Sequence, residues 1–164
     1  MLLDASVREI AFQIRAGQLS PTEVVNAHID RIESVNGVLN ALAADRFEEA
    51  RREAHEAEQL LARHDPSELP PLLGVPFTAK EFLAVKGMPN SGGLVRRAHV
   101  RAEQDATTVS RVRAAGAICL GVTNAAEAGL WCETKNRVYG RTNNPWNPGC
   151  TPGGSSGGLS LIHI

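Results

Sequence analysis

The chain has 164 residues, 43% of them hydrophobic and 21% charged, a composition that buries a core rather than one that stays disordered. Against 18 Asp and Glu stand 17 Lys and Arg, for a net charge of −1, so no basic footprint for nucleic acid is present. Cys119, Cys132 and Cys150 are odd in number and form no C-x-x-C pair, which argues against a disulfide framework or a zinc cluster and for a reducing, cytoplasmic setting. The opening MLLDASVREI has no cationic segment leading into an apolar one, and eighteen apolar residues never run together, so neither a signal peptide nor a transmembrane helix is expected.

Helices dominate the first sixty-odd residues. Ser6 and Glu9 form a capping box, and Val7, Ile10, Ala11 and Ile14 recur at helical spacing up to a terminating Gly17. Ser20-Pro21-Thr22-Glu23 opens a second helix, with Val25, Ile29, Ile32 and Val35 as its buried stripe and Asn36-Gly37 as its stop. A third helix, from Arg46 to Ala62, sets Phe47, Ala50, Ala54, Ala57 and Leu61 on one face. After a polar break at 65–71, Leu72 to Lys80 reads as a strand, although Pro76 restricts its pairing. Residues 81–104 read as irregular. Asp105 caps a helix ending at Gly116, Ala117 to Val122 is an apolar strand, and Thr123-Asn124 caps one more helix through Glu127 and Trp131. From 136 to 158 loop predominates. Strand, helix, strand in this order implies a parallel pair with a crossover. The fold class expected is therefore α/β: a helical segment (1–64) followed by part of a mixed, largely parallel sheet with helices packed around it (72–158).

Two features carry chemistry. Gly153-Gly154-Ser155-Ser156-Gly157-Gly158 would hold two hydroxyls on a sharply folded backbone, and a phosphate cradle, a nucleophile site and a linker all fit that description. The phosphate-loop pattern fails where Ser155 stands in place of the required Lys, and the dinucleotide fingerprint is missing. Lys80 ends an apolar run after Leu73, Val75 and Phe77. A buried amine there loses proton affinity and becomes a usable base near neutral pH, whereas an amine that snorkels to water does not. His28, His55, His64 and His99 stand in no motif, Trp131 and Trp146 read as packing residues, and Thr123, Asn124 and Glu127 read as capping and loop-anchoring residues.

GVPFTAKE (74–81), GMPNSGG (87–93), DATTVSRVRAAGAICLGVTNAAE (105–127), YGRTNNPWNP (139–148) and TPGGSSGG (151–158) occur in this order and together resemble the amidase-signature hydrolases. IRAGQLSPTEVV (14–25) and RIESVN (31–36) extend the resemblance over residues 5–158, as one domain. Lys80-Glu81 and Met88-Pro-Asn-Ser91 are most similar to the second type of fatty-acid amide hydrolase. The resemblance implies a Ser–Ser–Lys relay without metal or organic cofactor, in which Lys80 is the base and Ser155 the bridging Ser, joined to Gly154 by a cis peptide. It implies substrate contacts at Ser156 and Gly129, a small-molecule amide as substrate, fatty-acid amides foremost, and a homodimeric parent. The family's nucleophile lies in an Asp-x-Gly-Gly-Ser stretch that these residues do not contain. The chain is therefore expected to be the inactive front part of a longer enzyme, with 159–164 (Leu-Ser-Leu-Ile-His-Ile) a non-native tail. Two other roles are open: the A-type component of an amidotransferase that acts on glutamine and charged tRNA, and a non-catalytic binding module.

Overall fold

A computed structural model describes residues 2–160. Their contacts gather into two units, one built from residues 2–31, 46–77 and 110–120 and the other from residues 32–45, 78–109 and 121–160.

The first unit is largely helical. Helix α1 (Val7–Arg15) starts at the anticipated capping box: the Glu9 N–H donates to Ser6 Oγ at 3.2 Å, and the Ser6 N–H donates to the Glu9 carboxylate at 2.7 Å. Helix α2 (Pro21–Leu39) opens the same way, with Ser20 and Glu23 exchanging bonds of 3.1 and 2.8 Å. Each pair satisfies two backbone donors that a helix start would leave orphaned. Ile10 and Ile14 then pack with Val24 and Val75 into one core cluster. Val7 stands apart from that stripe and is 57% exposed.

Helix α2 overruns its expected stop. Gly37 is carried inside the helix at the modest cost a glycine exacts there, and the chain leaves the helix after Leu39, through Asn40 in the left-handed region (φ 49°). Asn36 acts past the helix end instead of terminating it. Its carbonyl oxygen accepts the N–H groups of Ala41 and Leu42, both at 2.8 Å, and its amide donates to the Leu42 carbonyl. That clamp turns the chain into β1 (Leu42–Asp45), a strand with no alternating pattern to announce it.

Helix α3 (Phe47–Arg63) buries Ala50, Ala54 and Ala57, as the small-residue face anticipates. Arg46, just before it, forks onto the Glu53 carboxylate at 2.8 and 3.0 Å, and Arg113 reaches the same carboxylate at 2.9 Å. The expected strand over 72–80 shortens to β2 (Pro76–Lys80) because Leu73 and Val75 donate to Pro70 and Leu72 in a turn. Pro76 occupies the first strand position, where its missing N–H removes no ladder bond.

Helix α4 (Thr107–Ala114) leads to β3 (Ile118–Thr123), in which all six residues are buried. The sheet order is β1–β3–β2. Strands β1 and β3 run antiparallel, in the register Leu42↔Thr123 and Asp45↔Gly121 with a bulge between Leu42 and Ala44. Bonds from Ile118 N–H to Val75 O and from Glu81 N–H to Thr123 O advance in the same direction along β2 and β3, as in a parallel pair. The fold is thus mixed α/β, with β3 as the fully buried central strand.

Two expectations of the second unit change. The helix anticipated from Thr123-Asn124 through Trp131 is only a 3-10 turn at Glu127–Gly129, with Ala128 at φ 52°. Its backbone donors are taken by distant partners instead: the Ala126 N–H by Ser155 O and the Ala128 N–H by Gly92 O. Asn124 anchors rather than caps, receiving Asn136 Nδ2 at 2.7 Å and donating to Thr142 Oγ1 at 3.0 Å. The segment read as loop also contains a short hairpin, β4 (Lys135–Asn136) with β5 (Gly140–Arg141). A last helical turn, α5 (Gly157–Ser160), includes Leu159 and Ser160. The remainder of the hexapeptide read as a tail, including His163, lies outside the described residues.

Ile14 is 1% exposed at the centre of the first cluster, so Ile14→Ala is expected to destabilise the protein by about 2–5 kcal/mol, measured as a lowered denaturant midpoint at unchanged m-value.

Candidate active site

Strand β2 delivers Lys80 to its C-terminal end, and the Gly/Ser loop delivers Ser155 to meet it. Lys80 Nζ donates to Ser155 Oγ at 2.8 Å. Partial burial depresses the Lys80 pKa below the ordinary lysine value of 10.5, because a low-dielectric surrounding penalises the charged amine. The aromatic face of Phe82 lies 5.4 Å from the same nitrogen.

The loop's glycines answer to close packing. A Cβ on Gly154 would lie 2.9 Å from the backbone of Trp131 and Glu133, one on Gly157 would strike the Thr134 side chain, and one on Gly158 would come 2.7 Å from Asn124 N. Gly153 alone answers to conformation: it has φ +88° and open space where a Cβ would sit. The peptide from Gly154 to Ser155 is cis, as the resemblance implies. Thr134, fully buried, braces the loop from below. Its N–H and hydroxyl both donate to Gly153 O, at 3.1 and 2.9 Å, and its oxygen accepts the Gly157 N–H at 2.6 Å.

The residue after Lys80, just past the end of β2, takes a different set of partners. Glu81 is 1% exposed. Its carboxylate accepts Ser91 N–H at 2.6 Å, Ser91 Oγ at 2.7 Å, Gly92 N–H at 2.8 Å and Tyr139 OH at 2.8 Å. A buried carboxylate needs such donors to offset its desolvation. It therefore ties the 89–93 loop and Tyr139 to the end of β2. Burial, together with the neighbouring Glu81, pushes the Tyr139 phenol up to about 12.

Lys80 and Ser155, expected together, are in direct contact. Ser156 accepts α5 bonds through its carbonyl, from Leu159 N–H and Ser160 N–H. Gly129 sits in the 3-10 turn at φ +69°, against the Phe82 ring. Glu81, Thr134 and Asn136 are the residues that sequence reasoning left without this role, whereas Asn124, by sequence a capping and loop-anchoring residue, does anchor. For Glu81 the usable signal was its place beside Lys80 at the end of an apolar strand, where an acid must be buried with partners or turned to water. Among the described residues, no group of His, Cys, Asp or Glu is gathered to hold a metal ion, and no helix is long and apolar enough to cross a membrane.

The model of the amidase family matches residues 23–161 of this sequence. The chain belongs to the amidase family. Fatty-acid amide hydrolase 2-B of Danio rerio is 48% identical over 98% of this chain and 32% of its own length. The A-type component of the glutamyl-tRNA(Gln) amidotransferase of Salinispora tropica is 38% identical over 97% and 32%. A solved structure of a fatty acid amide hydrolase superposes with a TM-score of 0.92 at 28% identity, covering 98% of this chain and 28% of that one. This amidase-family chain thus spans about a third of the length of the curated relatives it matches.

The raised Tyr139 pKa has a definite sign. Between pH 10 and about 12 the unfolded phenol has lost its proton while the folded one retains it. The unfolded state then binds fewer protons, and stability falls as pH rises through that window. Tyr139→Phe is expected to flatten the fall, measured by urea unfolding at a series of pH values from about 9 to 12.

Proposed function

We propose that this chain supplies the base and the proton relay of an amide hydrolase, as the N-terminal part of one amidase-signature domain. The observation that carries this reading is the 2.8 Å contact of a half-buried amine, Lys80, with the Ser155 hydroxyl. In the neutral form, Lys80 accepts the Ser155 proton while Ser155 accepts one from an attacking Ser that these residues do not include. The products of that transfer are a lysinium, a restored Ser155 hydroxyl and a nucleophilic alkoxide. Reversal of the same path protonates the leaving amine. Ser156 and Gly129 are assigned to the substrate side of the site, and no metal or organic cofactor takes part.

A linear amide is the proposed substrate, with a fatty-acyl amide first. The 48% identity to a relative named for that substrate supports the choice, as does the Lys80-Glu81 pair with its Ser91 partner. A homodimeric, cytoplasmic parent enzyme belongs to the same reading. The amidotransferase alternative draws on the 38% identity to the Salinispora tropica protein; a requirement for partner chains and for glutamine turnover would favour it. Direct Lys80–Ser155 contact and a loop whose Gly154, Gly157 and Gly158 pack closely on their neighbours support an enzyme over a non-catalytic module.

In the enzyme that contains this segment, Lys80→Ala is expected to lower kcat/KM for an amide by at least about 10²-fold, and Ser155→Ala by a similar factor. The rate should rise with pH to a plateau reached below the ordinary lysine pKa, because only the neutral amine accepts a proton. An undiminished rate in both variants would refute the relay. The 164-residue chain alone is expected to turn over no amide; a rate from the purified chain that Lys80→Ala abolishes would overturn that.

A further inference from the structure

We infer that Phe82 is a positioning residue for the Lys80 base, holding the amine over its ring and stabilising the lysinium that forms when the proton arrives. The inference rests on the reading of Lys80 as the base. Three features of the structure bear on it. First, the ring centroid lies 5.4 Å from Lys80 Nζ, within the range in which the negative face of an aromatic attracts a cation. Second, the ring is seated rather than loose. Gly92 (φ +63°) and Gly129 (φ +69°) lie against it so closely that a Cβ on either would come within 3.2–3.4 Å of the ring carbons. Left-handed glycines at both positions leave the slot open to an aromatic. Third, 41% of Phe82 remains exposed, a share of apolar surface left bare beside the Lys80–Ser155 pair.

The two influences on Lys80 oppose each other. Burial favours the neutral amine, which must be available before the reaction. The ring favours the charged amine, which must be tolerated after the transfer. A base that is neutral at rest yet stabilised when protonated needs both. The ionisable groups on the neighbouring segments do not replace the ring. Glu81 spends its carboxylate on Ser91, Gly92 and Tyr139. Glu127 belongs to the turn that carries Gly129, and Lys86 and Asp105 are joined by the Lys86 backbone N–H. Desolvation is what lowers the Lys80 pKa.

The decisive experiment follows the Lys80 side chain directly, by NMR titration of 13C-lysine-labelled protein with Lys80→Ala to assign the signal. Phe82→Leu is expected to lower the Lys80 pKa by about half a unit, and Phe82→Tyr to restore it. Fluorinated phenylalanines at position 82 keep the shape and weaken the negative face, and should lower the pKa in step with fluorination. That series decides the matter even if Phe82→Leu does not fold, and an unmoved Lys80 titration across it would overturn the inference. In the whole enzyme, Phe82→Leu should shift the acid limb of kcat/KM by the same amount and lower kcat about threefold. Loss of rate in Lys80→Ala with no shift in Phe82→Leu would sink the role of Phe82 alone. Full rate in Lys80→Ala would sink the base reading instead.

Discussion

The proposed relay depends on keeping an amine out of bulk water next to a hydroxyl. Water would hold Lys80 charged, and a charged amine cannot take a proton. The strand that ends at Lys80 is partly buried, and the loop that brings Ser155 to it is fastened by backbone and side-chain bonds from Thr134 and Ala126. Both partners therefore sit on well-fastened elements, as the proposed proton transfer over 2.8 Å would require.

The support for this pair is polar and buried. Glu81, Asn124, Asn136, Thr134 and Thr142 are each at most 5% exposed. Every one of them is bonded to backbone or side chain, so the network stabilises instead of leaving desolvated groups unpaired. Asn124 joins Asn136 to Thr142, and Thr142 reaches on to the Asn40 carbonyl at 2.7 Å. The Gly/Ser loop rests on this floor, since Gly158 packs against Asn124.

Local chemistry made much of the fold legible in the sequence. The capping boxes at Ser6 and Ser20 marked two helix starts, and the alanine face of α3 and the apolar run of β3 showed their buried sides. What was not legible depended on partners far along the chain. Asn36-Gly37 has the composition of a stop, yet the Asn36 side chain binds Ala41 and Leu42 and the helix continues. Thr123-Asn124 has the composition of a cap, yet Asn124 is claimed by Asn136 and Thr142. Strand β1 has no alternating pattern, and pairing with β3 alone defines it. At the site, Lys80 and Ser155 could be named from the order of motifs, while the partners of Glu81 and the role of Thr134 could not, because they exist only once loops from 91, 139 and 153 have been brought together.

The register at the end of β2 has a consequence for how sharply this region constrains the gene. Lys80 and Glu81 are adjacent in sequence but serve different partners, an amine at Ser155 and a carboxylate at Ser91 and Tyr139. Sliding the strand by one position would exchange them, setting an acid against a hydroxyl and a cation among four groups arranged to donate. A one-codon insertion or deletion in this stretch would thus misplace the charge at both sets of partners at once, a harm that conservative replacement of either residue could not repair.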